Sequence, residues 1–143
     1  MAQMTADQMS SFLGRTRQGI LLTSNEDGTA DGVPVWFDWD GETVRFFSGA
    51  TAPKIERLRR DPRMSLLVTN DVDEPPAWVR FEGHAELDPN ADAGHLAVEV
   101  LAPRYWDLTN PQYAEVVEQW REAPADALVV VQLRPDRIRS SGS

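Results

Sequence analysis

V-P-V-W-F-D-W-D-G-E-T-V-R-F-F-S-G-A-T-A-P-K-I-E-R-L-R-R-D-P-R-M-S-L-L-V-T-N runs from Val33 to Asn70, and its reading decides the architecture. At its centre Asp40-Gly41 separates V-P-V-W-F-D-W from T-V-R-F-F-S. An Asp-Gly pair between runs of β-branched and aromatic residues is a strong hairpin signal, because the tight turn needs residues that tolerate positive φ. Two antiparallel strands are therefore expected. After Ser48-Gly49 the pattern changes. Thr51 reads as an N-cap, Pro53 is tolerated in a first helical turn, and Ile55 and Leu58 lie three apart on one apolar face. Asp61-Pro62 ends the helix, since the residue before a proline is pushed out of the helical region. M-S-L-L-V-T follows at once as a third strand.

The helix and its flank carry Lys54, Arg57, Arg59, Arg60 and Arg63, five of the chain's fourteen basic residues. One reading is a solvated face, with Glu56 and Arg60 as an ordinary surface pair one helical turn apart. The other is an anion site, in which the Ser-Gly turn and the helix N-terminus offer backbone N–H groups and Lys54 adds a charge. Lys54 is the only lysine beside thirteen arginines.

On the N-terminal side, Thr5 is expected to cap a short amphipathic helix bearing Met9, Phe12 and Leu13 on one face. Gly19 to Thr23 reads as a compact strand, and N-E-D-G-T as the turn after it. The next strand begins near Thr29; its Pro34 cannot donate to a ladder, so an edge position or a bulge is expected. On the C-terminal side, N-D-V-D-E-P-P (Asn70–Pro76) is an acidic loop. Ala77 to Asp88 alternates, with Val79, Phe81, Gly83, Ala85 and Leu87 on one face and Trp78, Arg80, Glu82, His84 and Glu86 on the other. His84, between Glu82 and Glu86, reads as a surface group. A helix from Asp88-Pro89-Asn90 should stop at Pro103. R-Y-W-D-L-T links it to a second, which runs from Asn110-Pro111 to about Trp120 with Tyr113, Val116, Val117 and Trp120 on one side. Ala127 to Leu133 is a buried strand, and the basic tail after it is expected to fray.

Bulk properties narrow the function. A chain of 143 residues is expected to form one domain, residues 1–143, with a core of its own. A formal charge of −9 opposes nucleic acid or an anionic membrane as partner. The absence of cysteine excludes disulfides and thiolate chemistry, and with no signal-peptide pattern a cytoplasmic location is expected. Two histidines eleven apart make no metal site, and neither G-x-G-x-x-G, G-x-x-x-x-G-K-[ST] nor G-x-S-x-G occurs. No side chain presents itself as a catalytic nucleophile, acid or base. This profile fits a protein whose chemistry is carried by a bound cofactor.

The spacing F-F-S, then Lys54, Leu58 and Asp61-Pro62, resembles the corresponding segment of the pyridoxamine 5'-phosphate oxidase-like split barrels, a superfamily of flavin- and deazaflavin-dependent oxidoreductases. P-V-W-F with L-R-R-D-P-R is similar to its actinobacterial branch, which includes binders of FMN and of the deazaflavin coenzyme F420. The resemblance extends from Phe12 to about Ile138. It implies a mainly β fold, a six-stranded antiparallel split β-barrel with flanking helices, assembled as a homodimer with the cofactor at the subunit interface. Pro34, Val35 and Trp36 would then touch the cofactor ring, although a barrel core would use Trp36, Phe37 and Trp39 anyway. Ser48, Thr51 and Lys54 would hold the phosphate, Arg57 and Arg60 the outer anions, and Trp78 of the second subunit would cover the ring. Positions where the FMN-type oxidases carry basic residues hold Gly32, Phe37 and Pro53 here, which opposes pyridoxamine phosphate oxidation itself and favours the deazaflavin over FMN. The expected reaction is hydride transfer to or from a small unsaturated or quinone-like acceptor. A binding protein for flavin or haem without turnover is the alternative.

Overall fold

In the computed structural model, which describes residues 2–142, eight strand segments form one antiparallel system. They are β1 (Gly19–Ser24), β2 (Ala30–Val35), β3 (Asp38–Trp39), β4 (Val44–Gly49), β5 (Arg63–Thr69), β6 (Trp78–Asp88), β7 (Leu128–Leu133) and β8 (Arg137–Ser141). Their order is β2-β1-β5-β6-β7-β4-β3, with β8 paired to β6. The two end strands, β2 and β3, are joined by Trp36 and Phe37 alone, a link that reaches no more than about 11 Å from Val35 to Asp38. The sheet must therefore curl until its ends nearly meet. The result is a mainly β split barrel with flanking helices, as the sequence implies.

Strand alternation fills the interior. Leu21, Val44, Phe46, Leu66, Val68, Val79, Phe81, Val131 and Leu133 are almost wholly buried. Full burial of a side chain such as Phe81 stabilises by about 2–3 kcal/mol. β6 serves both halves of the barrel: Trp78 to Glu82 pair with β5 on one edge and β8 on the other, and Ala85 to Asp88 pair with β7.

Four differences from the sequence reading have physical causes. The strand expected before Asp40-Gly41 is broken into β2 and β3. Val35 pairs with Gly19, where β1 begins, so Trp36 and Phe37 have no strand beside them. The turn itself is as expected, with Gly41 at φ 98° and the Asp40 carboxylate accepting from the amides of Glu42 and Thr43. The basic tail is not frayed but forms β8, because the first half of β6 would otherwise have an open edge. These two segments raise six expected strands to eight. Thr51 is not the N-cap of α2 (Pro53–Arg60). Ala52 holds that position without a side-chain cap, and its carbonyl accepts from the amides of both Ile55 and Glu56.

The fourth difference concerns Pro103. The helix α3 (Ala93–His95) passes through a π-helical stretch (Leu96–Leu101) into α4 (Ala102–Tyr105), and Pro103 lies inside it. The wider spiral ends with the Ala102 amide bonded to the Ala97 carbonyl, and α4 restarts there. Pro103 thus stands in a first turn, where a missing N–H costs little. The Thr5 cap of α1 (Ala6–Gly14) forms as expected, reciprocated by Gln8, and Asn110 caps α5 (Pro111–Glu122). Leu96, Ala97, Val98, Leu101 and Val117 pack these helices on the outer face of β4 and β7, against Phe47, Leu128 and Val130. Among the described residues no helix is long and apolar enough to cross a membrane.

Candidate functional site

The split between β2 and β3 is where the chain assembles a cleft. Pro34 lies on β2, an edge strand paired with β1, the kind of strand in which a proline is tolerated. At the next turn of the chain Val35 and Phe37 point into the core, 7% and 6% exposed, and Trp36 points out towards the helices. The unpaired Phe37 amide is satisfied by Tyr105 from α4. Its hydroxyl accepts from the Phe37 amide at 3.2 Å and donates to the Arg17 carbonyl. Its ring stacks on Trp36, centroids 5.0 Å apart and planes 6° from parallel. Burial raises the Tyr105 phenol above its ordinary pKa, which keeps the proton this donation needs.

Beyond Trp36 stand two further indoles. Trp106 and Trp120 are stacked on each other at 5.7 Å, and each meets Trp36 edge-on, at 4.7 and 6.0 Å. Tyr113 stacks on the far side of Trp106, and Phe47 packs edge-on against Trp120. The cleft in front of this wall has a volume of about 360 Å³. Pro34, Val35 and Gln18 form its barrel side, and Ser48, Gly49 and Lys54 its polar end. Ser48 is buried at 4% exposure and donates to the Gly49 carbonyl.

Lys54 differs from the arginines of its helix. No carboxylate lies within ion-pairing distance of it among the described residues; burial, and secondarily the charge of Arg57, lower its pKa below the ordinary lysine value. Arg57 is tied inward. Its Nε donates to Thr23 Oγ1 at 3.1 Å, and its Nη2 lies 2.6 Å from Asp31 Oδ2, a charge contact outside hydrogen-bond angles that leaves that buried oxygen without a donor. Arg60 donates to the Ser24 carbonyl at 2.9 Å and approaches Glu26 at 3.6 Å. Arg59 pairs with Glu56.

Of the residues singled out in the sequence, Pro34, Val35, Trp36, Ser48 and Lys54 line one cleft. Thr51, Arg57 and Arg60 line a neighbouring groove on the outer side of α2. Trp78 lies apart, at the start of β6 in a third groove with Arg137 and Arg139, and Arg80 lies over its ring. His84 is exposed and faces Asp136 at 3.3 Å, away from the cleft. Sequence reasoning missed Phe47, Trp106 and Trp120 as cleft walls and Tyr105 as their anchor. One signal was available: both tyrosines and two of the five tryptophans fall between positions 105 and 120. The acidic loop also has a task, since Glu74 receives both terminal nitrogens of Arg17 and Asp71 pairs with Arg15.

Comparison with known proteins follows the same outline. The family profile described as pyridoxamine 5'-phosphate oxidase matches residues 5–141. A conserved hypothetical protein of Mycobacterium tuberculosis is similar at 27% identity and TM-score 0.69, over 96% of this chain and 84% of that one. A structure described as an F420 reductase is similar at 25% identity and TM-score 0.60, over 90% and 94% of the two chains. A FAD-binding protein of Mesorhizobium loti shares the fold at 23% identity and TM-score 0.62, over 97% and 93%.

Proposed function

The chain belongs to the pyridoxamine 5'-phosphate oxidase family, and we propose that it is an oxidoreductase that holds coenzyme F420, or FMN in its place, in the cleft between Trp36 and Lys54. The observation that carries this reading is a half-buried lysine, free of carboxylates, at the polar end of an aromatic-walled cleft. A volume of about 360 Å³ admits a fused planar ring, and one cation beside it matches one phosphate. The similarity to an F420 reductase supports the deazaflavin as first choice.

When bound, the cofactor supplies hydride chemistry between itself and a small unsaturated or quinone-like acceptor. The chain's own residues bind, orient and exclude water. Pro34 and Val35 present backbone and apolar surface to one side of the cleft. Trp36 is held in place by its stack on Tyr105 and by the edges of Trp106 and Trp120. Lys54 fixes the anionic end, and Ser48, whose hydroxyl donates to Gly49, keeps its lone pairs for a further donor. Neither histidine lines the cleft, so it offers no imidazole to a haem iron, and the non-catalytic haem-binding alternative finds no support there. Glycine at position 32 and a buried phenylalanine at 37 oppose pyridoxamine phosphate oxidation as the reaction. The assembly that fits this reading is a homodimer in which a second copy covers the cleft mouth.

Fluorescence and absorbance titration of the apo-protein with each cofactor is the test. Lys54→Ala is expected to weaken binding at least about tenfold, the usual worth of a charge-assisted contact to phosphate. Affinity in the wild type should also decline as pH rises through a lysine pKa below the ordinary 10.5. Unchanged affinity in Lys54→Ala would remove the reading. A cofactor that binds but is reoxidised by no acceptor would favour a binding protein.

A further inference from the structure

Resting on that cofactor reading, we infer that the groove outside α2 is closed to anions by the chain's own carboxylates, so that the charge of a cofactor tail beyond the phosphate adds nothing to affinity. In the sequence the helix is a row of cations open to an anionic tail. The fold places three carboxylates, Glu26, Asp27 and Glu56, in the same groove as Arg57 and Arg60. Formal charge along this lining is therefore negative by one. Each guanidinium is also committed: Arg57 to Asp31 and Thr23, Arg60 to the Ser24 carbonyl and Glu26, and Arg59 to Glu56.

These contacts give the basic helix another role. Arg57 and Arg60 bind α2 to β1 and to the turn leading into β2, which fixes the helix that carries Lys54 into the cleft. An anionic tail would have to displace Asp31 from Arg57, whose side chain is only 16% exposed, or compete with Glu26 at Arg60. A glutamylated tail brings carboxylates to a place already supplied with them. Recognition of charge is thus confined to Lys54, and the two cofactor forms that share ring and phosphate are held alike.

The test compares two deazaflavins with the same ring and phosphate, one without glutamyl residues and one with an oligoglutamyl tail, titrated at low ionic strength. FMN serves as a reference. The wild type should bind both deazaflavins within about threefold of each other, well under the tenfold that 1.4 kcal/mol would produce. Glu26→Gln combined with Glu56→Gln removes two carboxylates, both on well-exposed side chains, and should make the tailed form bind at least about fivefold tighter than the untailed one. A wild-type preference of tenfold or more for the tail, or no change in the ratio in the double variant, overturns the inference and leaves the cofactor reading standing. Failure of both deazaflavins and FMN to bind overturns the two together.

Discussion

Arg17 shows what a single residue contributes to the frame around the cleft. Its side chain is 4% exposed, its Nε donates to the Phe12 carbonyl, its terminal nitrogens meet Glu74, and its plane lies over the Phe12 ring at 3.9 Å. Bonding to Arg17, then to the Asp71 amide, holds the Glu74 carboxyl down at about 2, against an ordinary 4.5. A carboxylate with a depressed folded-state pKa stabilises fully above its unfolded value, and that stability is lost as pH falls through the folded value. Glu74→Gln should therefore lower the urea midpoint at neutral pH, and the gap to wild type should close between pH 4.5 and about 2. A gap that stays constant over that window would exclude the Glu74 charge as its source. At this scale Lys54 was legible because it is the only lysine. The arginines were not: Asp31, Thr23 and Ser24, which claim them, lie some thirty positions away, and only the pairing of β1 with β2 beside α2 brings them near.

At the scale of elements, the sequence carried the hairpin turn, the α1 cap, the start of α5 and five of the strands outright, because each has a local cause: a glycine at positive φ, a capping side chain, a proline in a first helical turn, or the pattern of apolar residues. The break at Trp36-Phe37 has no such cause. It arises where β1 begins, and the orphaned Phe37 amide finds its partner in Tyr105, 68 positions away. The passage of α3 through the π stretch into α4 was illegible for a related reason. A proline normally stops a helix, and only a register change just before it makes the position tolerable. Tyr105→Phe isolates the hydroxyl, since the ring can keep its stack on Trp36. Loss of the bridge to the Phe37 amide and Arg17 carbonyl should cost about 1–3 kcal/mol. The expected sign is a lower urea midpoint with an unchanged m-value, and a weakened cofactor titration because the Phe37 backbone next to Trp36 loses its tie to the hydroxyl. A stable variant with normal affinity would show that the bridge is dispensable.

For the whole molecule, the position of the cleft bears on assembly. Ligand sites bury about 70–90% of a small molecule's surface. Here the helix side of the cleft is closed by Trp36, Trp106 and Trp120 and the barrel side by Pro34, Val35 and Gln18, with the mouth left for a second copy in the assembly we propose. Trp78 is the one aromatic of the expected set that lies elsewhere on its own chain, in the groove with Arg137 and Arg139; in the assembly we propose it is offered to the partner's cleft. If the two copies complete each other's sites, cofactor binding and dimerisation are linked, and each must strengthen the other by the same factor. Sedimentation velocity across a dilution series should show the monomer–dimer midpoint moving to lower protein concentration when cofactor is added. At a hundredfold excess over Kd, each bound site contributes up to about 2.7 kcal/mol towards the dimer if the monomer binds negligibly. Trp78→Ala should weaken cofactor affinity while leaving the cofactor-free dimer midpoint in place. A monomer that binds as tightly as the dimer would place the whole site within one chain and return Trp78 to the surface of β6.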